Sequence, residues 1–219
     1  MALTTSAAKT LALLATLLGP AGAQAASSAP LPALPANLGY AILMDGDPIG
    51  HETYDFRQDG GHVSVSVTTK TDVKVLFLNF HYRHARQEEW LDGQLQSLRA
   101  NTDDDGSKHH VEADAKDGSL SLAADGKPVS LPPDSLPLTL WNKALLATST
   151  LYGVIDAQPY HVTSKDLGAE TLTLAGKPVA TEHYRIDGDV QRDLWYGEDG
   201  LLVQTTFERK GYPIKIVRE

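Results

Sequence analysis

The chain has 219 residues, no cysteine and a formal net charge of −9. That length is enough for one domain with a substantial core, and the lack of cysteine rules out disulfides and thiolate chemistry, so stability must come from packing and backbone pairing. The acidic balance argues against nucleic acid or an anionic membrane surface as the main partner.

Residues 1–25 carry the three parts of a secretory signal peptide: Lys9 in a short leading segment, an uncharged apolar run at 11–18, and small residues at the expected cleavage point. Both Ala21-Gly22-Ala23 and Ala23-Gln24-Ala25 satisfy that pattern, so cleavage is expected after Ala23 or Ala25. The apolar run falls short of the roughly 20 residues that a spanning helix needs. The chain is therefore expected to be exported, periplasmic or secreted, with no transmembrane anchor after cleavage. Loss of Lys9 leaves the mature chain with 18 Lys and Arg against 28 Asp and Glu, a charge of −10.

Residues 26–37 mix Ala, Pro and Ser without a hydrophobic period and read as an extended leader into a single domain over 38–219. That domain is punctuated by turn signals: Asp45-Gly46, Asp59-Gly60-Gly61, Asp92-Gly93, Asp105-Gly106, Asp117-Gly118, Asp125-Gly126, Gly176-Lys177, Asp187-Gly188, Asp199-Gly200 and Lys210-Gly211. Glycine accepts positive φ without a Cβ clash and aspartate bonds its own local backbone, so Asp-Gly between alternating segments predicts a hairpin. The gaps are too short for parallel crossovers, which predicts an antiparallel meander.

In chain order, alternation predicts strands at 40–44, 50–58 and 62–71, with Val63, Val65 and Val67 on one face. The run 73–84 is apolar on both faces and reads as one long strand that is buried on both sides or lines a greasy cavity. Further strands are predicted at 88–91, 94–102, 108–114, 119–123 and 127–131. After Leu131-Pro132-Pro133-Asp134, the spacing of Leu138, Trp141, Leu145 and Leu146 predicts one short helix near 138–148. Strands resume at 160–165, 170–174, 177–186, 191–196, 201–210 and 212–217. On the order of 12 to 14 strands in one sheet must curl or split. The predicted fold is mainly β: a highly curved antiparallel meander, a half-barrel or open barrel or clam, with one short helix as plug or partial lid.

Chemistry-bearing signals are sparse. No Ser lies in Gly-x-Ser-x-Gly and no Gly-rich phosphate loop precedes a helix. Residues 101–106, between the predicted strands 94–102 and 108–114, read as a polar hairpin tip and not as a calcium loop. The densest polar cluster is His81-Tyr82-Arg83-His84 followed by Glu88-Glu89-Trp90. The odd separation of His81 and His84 sends them to opposite faces of a strand, and His109-His110 has the same difficulty, so no metal site and no cofactor are expected. Glu88 or Glu89 with a second carboxylate would be the acid/base pair of a glycosidase-type site, with His81 and His84 nearby. Aromatic residues recur along the strands, and a concave apolar face would make a pocket for a lipid-like ligand. The candidate ligand-binding residues are Leu76, Leu78, Phe80, Tyr82, Trp90, Trp141 and Trp195.

Four patterns carry a resemblance: Tyr40-x-Ile42-x-x-Asp45-Gly46-x-x-Ile49-Gly50, Glu89-Trp90-x-Asp92-Gly93-x-Leu95, Gly176-x-x-Val179-Ala180-x-x-x-Tyr184, and Asp193-Leu194-Trp195-Tyr196-x-x-x-Gly200-x-Leu202-Val203. Together they resemble the DUF6134 family of exported bacterial β-proteins, which is similar in layout to the DUF3108 group. The resemblance carries over no activity and no catalytic residues, since none is established for the family. By fold-level analogy, such half-barrels look like periplasmic carriers that shelter acyl chains.

The leading expectation is thus a non-enzymatic binding or carrier protein for an apolar or lipid-like ligand. A hydrolase or lyase acting on an envelope polysaccharide through Glu88, Glu89, His81 and His84 is the alternative. A structural role in an envelope assembly, recruited through edge strands, is the second alternative.

Overall fold

The structure is a computed structural model that describes residues 33–75, 78–116 and 119–219. The signal-peptide segment, most of the Pro/Ala leader, Leu76 and the Asp117-Gly118 turn lie outside the described residues.

Fifteen strands form one sheet: β1 (Asn37–Met44), β2 (Asp47–Asp59), β3 (His62–Val75), β4 (Leu78–Leu91), β5 (Gln94–Asp104), β6 (Ser107–Lys116), β7 (Ser119–Ala124), β8 (Lys127–Val129), β9 (Leu136–Pro137), β10 (Thr150–Tyr152), β11 (Pro159–Leu174), β12 (Lys177–Gly188), β13 (Arg192–Gly197), β14 (Leu202–Arg209) and β15 (Tyr212–Arg218). Their order is β8-β7-β6-β5-β4-β3-β2-β1-β15-β14-β13-β12-β11-β10-β9. The chain thus starts in the middle of the sheet, winds outward to β8, and crosses through residues 130–135 to the opposite edge. It then returns strand by strand until β15 pairs with β1, Ile42 opposite Ile216. Every pairing is antiparallel except β9 with β10. The sheet is barrel-like without hydrogen-bonded closure, and both edge strands are very short, the arrangement that limits edge-to-edge association.

Two-residue loops explain the meander. Asp45 and Gly46 have φ of 52° and 90°, and Asp105 and Gly106 have 55° and 90°. Two successive positive φ values give the type I′ turn whose twist matches that of the strands it joins. Because successive strands run in opposite directions, the turns at 45–46, 105–106, 125–126 and 210–211 gather at one end of the barrel, here called the top. Those at 60–61, 92–93 and 175–176 gather at the bottom.

Three expectations are corrected. The run 73–84 is two strands: β3 ends at Val75 and β4 begins at Leu78, with Val73 opposite Phe80. Val73 and Phe80 therefore face each other across an antiparallel pair, and no single strand runs through 73–84. Asp187-Gly188 lies inside β12, where a Cβ on Gly188 would meet the His161 carbonyl oxygen at 2.2 Å; the chain reverses after it, through 189–191. The short helix shrinks to a single 3-10 segment, Lys143–Ala147, capped by the Asn142 side chain accepting from the Ala144 backbone N–H. The residues before it are held elsewhere: Leu138 N–H donates to the Tyr152 carbonyl, and Thr139 and Trp141 side chains reach into the barrel.

The core lies inside the curled sheet. Tyr54 and Phe56 of β2, Val63, Val65 and Val67 of β3, and Leu98 and Ala100 of β5 are buried at two-residue spacing. Residues 136–157, the internal segment, add buried Leu140, Trp141, Leu145, Leu151 and Tyr152 to this core. Trp141 packs edge-on against both Phe56 and Trp90, with ring centroids 5.6 Å apart in each case. Such aromatic pairs add about 0.5–1.5 kcal/mol each beyond the area they bury.

Candidate functional site

The inner face of β4 sets out the interior from bottom to top. Trp90, Glu88, Arg86, His84, Tyr82 and Phe80 alternate along one strand and therefore share one face. The bottom of this stripe is sealed by a polar network. Glu88 is fully buried, and its Oε1 accepts from Arg86 Nε at 2.6 Å and from Thr139 Oγ1 at 2.8 Å. Its Oε2 accepts from the indole N–H of Trp90 and of Trp141, each at 2.9 Å. Four donors converge on one carboxylate, so an ion that would be costly alone is fully satisfied.

Arg86 continues the network upward, donating to Thr139 Oγ1 at 3.1 Å and to His84 Nε2 at 3.1 Å. Burial by itself opposes its charge, but the Glu88 carboxylate and the neighbouring Tyr54 and Glu52 outweigh that and hold its pKa above the ordinary value. An arginine only donates, so His84 Nε2 must accept and its Nδ1–H donates to Thr102 Oγ1 at 2.8 Å. Burial, with Arg86 alongside, pushes the His84 pKa down to about 3, so the imidazole is neutral at physiological pH.

Above this network the interior opens into a cavity of about 720 Å³. Its walls are mainly apolar: Ile42, Ile49, Val190, Phe207, Ile214 and Ile216 from the sheet face Leu138, Leu140, Val154 and Ile155 of the internal segment. Phe80 and Tyr212 line it too and are 40% and 46% exposed at the top of the barrel, which identifies the mouth. Arg209 at the end of β14 pairs with Asp104 at the end of β5 at 3.1 Å, and Lys210 reaches the same carboxylate at 3.5 Å. These strands are not neighbours in the sheet, so the pair ties two separate parts of the rim together.

A few polar groups project into the cavity. Glu52 accepts from Tyr54 Oη at 2.8 Å and Thr69 Oγ1 at 2.7 Å. Asp156 accepts from the Gln158 backbone N–H at 3.1 Å. Arg192, the first residue of β13, lies with its guanidinium carbon 3.8 Å from the centre of the Phe207 ring. Burial lowers its pKa to about 10, with Glu52 and Tyr160 acting in the opposite direction.

The residues expected to carry function are distributed as follows. Phe80 and Tyr82 line the cavity. Trp90 and Trp141 do not line it; both donate to Glu88 in the buried network beneath. Trp195 points to the other side of its strand from Leu194 and Tyr196; it stacks on His183 with centroids 4.2 Å apart and donates to Glu170 at 2.9 Å. Leu78 opens β4 at the hairpin end. Glu88 and Glu89 face opposite sides of the sheet: Glu89 accepts from Ser64 Oγ at 2.6 Å and lies 3.2 Å from His62 on the outer surface. His81 is likewise exposed, 2.5 Å from Asp72, while His84 is internal. The proposed acid/base quartet is therefore not gathered around one cleft.

Sequence reasoning missed Glu52, Arg192 and Arg209 as cavity residues. Arg192 sits two residues before Leu194 in an alternating strand, a charged side chain at an inward position, and that is the signal by which it could have been found. Among the described residues, no group of three or more His, Asp or Glu side chains is arranged to hold a metal ion.

Among solved structures, the chain is similar to a beta-barrel-like protein of domain of unknown function DUF1849 from Brucella abortus, with a TM-score of 0.58 at 10% identity over 85% of this chain and 97% of that one. At that identity the likeness concerns the fold alone. No curated protein matches the chain. The profile of DUF6134, a domain of unknown function, matches residues 40–219, and the chain belongs to that family.

Proposed function

We propose that this is a non-enzymatic binding or carrier protein that takes an amphipathic, lipid-like small molecule into the upper half of its barrel, acting outside the cytoplasm after export by its N-terminal signal. The observation that carries the reading is the cavity of about 720 Å³, with mainly apolar walls and an exposed aromatic rim at Phe80 and Tyr212. Small-molecule sites have this character: a concave apolar space of roughly 300–1,000 Å³ with a few placed polar groups. The sealed floor supports a container more than a catalyst, since Glu88 has no lone pair free for proton transfer once four donors occupy it.

Solvent extraction of the protein purified from the periplasm of a bacterial expression host, followed by mass spectrometry, tests this. A lipid-like species in stoichiometric amount, lost when the cavity is filled by Val154→Trp, is the expected result. An extract free of such molecules, together with no saturable uptake of a fluorescent fatty acid, would refute the reading.

A further inference from the structure

Three arginines line the cavity, and two are already engaged. Arg86 is paired with Glu88, and Arg209 with Asp104. Arg192 differs: among the described residues no carboxylate lies within ion-pair distance of it and no acceptor receives its N–H groups, while one face of its guanidinium is covered by the Phe207 ring. Partly buried guanidinium groups normally find acceptors, because an unpaired donor removed from water costs free energy. Stacking on an aromatic ring supplies attraction but no acceptor. It also fixes the plane of the fork, so the edge carrying the N–H donors is left for something within the cavity.

The surroundings narrow what that is. A planar fork matches a carboxylate bidentately, which is stronger and more specific than a single contact. Glu52 and Asp156 line the same cavity, and both carry negative charge that opposes a second charge on the occupant. A monoanion is therefore favoured over a dianion such as a phosphate monoester. Beyond Arg192 the walls are Phe207, Val190, Ile214 and Ile216, which suit an alkyl chain.

We propose that Arg192 is the head-group anchor of the cavity, binding the carboxylate of a long-chain monocarboxylic acid whose chain lies along the apolar wall. The inference rests on the reading of the cavity as an amphiphile site, and deepens it by naming the ligand class and the residue that selects it. Phe207 acts as a positioning residue by holding the guanidinium plane.

Isothermal titration of the mature protein with dodecanoic acid, methyl dodecanoate and dodecyl phosphate tests it, alongside Arg192→Met and Arg192→Lys. The acid is expected to bind about ten-fold or more tightly than the ester, the difference a charge-assisted bidentate contact makes. Arg192→Met should remove that preference while leaving the ester within about two-fold, and Arg192→Lys should keep part of it. Equal affinity for acid and ester in the native protein, or an acid preference unchanged in Arg192→Met, overturns the anchor while leaving the cavity reading intact. Tighter binding of dodecyl phosphate than of the acid overturns the carboxylate class. If none of the three binds, the cavity reading itself fails. Should Arg192→Met not fold, carboxyl-labelled dodecanoic acid bound to the native protein gives a second readout by ¹³C NMR. An anchored carboxylate stays ionised to lower pH than the free acid, whereas an unshifted titration contradicts the anchor.

Discussion

Arg86 and Glu88 are two residues apart on the inner face of one strand, and Arg86 Nε donates to Glu88 Oε1 at 2.6 Å with both side chains buried. Neither ion would be tolerated there alone. Their joint presence, with both indole N–H groups of Trp90 and Trp141 on the second oxygen, ties β4 to the internal segment. Glu88→Gln leaves Arg86 charged and buried and turns an amide N–H₂ toward existing donors. It should destabilise the protein by about 3–5 kcal/mol in denaturant unfolding. Glu89→Gln, on the outer face with a 40% exposed side chain, should stay within about 0.5 kcal/mol. Equal effects of the two would contradict the network.

His84 makes stability depend on pH in a predictable direction. Its folded pKa lies near 3, below the ordinary value of 6.5, so below about pH 6.5 the unfolded chain binds a proton that the folded chain refuses. Its contribution is intact above pH 6.5 and is lost progressively as the pH falls toward 3, at up to about 1.4 kcal/mol per pH unit. His84→Gln keeps an acceptor for Arg86 but cannot titrate, and its stability should fall less steeply from pH 6.5 to 4.5. Parallel pH profiles would show that the native imidazole protonates freely.

The hydroxyl of Tyr152 is buried without a hydrogen-bond partner among the described residues. An unmet buried hydroxyl costs about 1–3 kcal/mol, so Tyr152→Phe should leave the melting temperature unchanged or raise it. A loss of more than about 1 kcal/mol would mean that the hydroxyl is engaged.

The turn joining β11 and β12 carries Ala175 at φ 46° before Gly176 at φ 76°, where four other hairpins have Asp at the first position. Alanine resists the left-handed region that Asn and Asp tolerate. Ala175→Asn is therefore expected to stabilise by about 0.5–1 kcal/mol, measured as a higher denaturant midpoint at constant slope.

Turn chemistry made the sheet legible. Asp45-Gly46, Asp92-Gly93, Asp105-Gly106 and Asp125-Gly126 all adopt the positive φ values that their residue types anticipate. Where that chemistry is missing the reading failed: no Gly, Pro or Asn stands between Val75, which ends β3, and Leu78, which begins β4, so two strands read as one. The signal was offset at Asp187-Gly188, where Gly188 ends β12 at φ 131° and too close to the His161 carbonyl for a Cβ, and the chain reverses just after it. Two-residue periodicity separated His81 from His84 without a structure, but it does not say which face is inner. The cavity was less legible still. Its polar members come from Glu52 on β2, Arg192 on β13 and Arg209 on β14, and only the winding of β1 back against β15 brings those strands around one space.

Titration of the mature protein with the fluorescent polyene cis-parinaric acid, beside variants whose cavity is filled from two different elements, tests the central claim most directly. Met44→Trp acts from β1 and Val154→Trp from the internal segment. The account predicts saturable one-to-one binding to the native protein, weakened about ten-fold or more in both variants while their unfolding stays cooperative. Absence of saturable binding, or binding that neither filled cavity weakens, would contradict it.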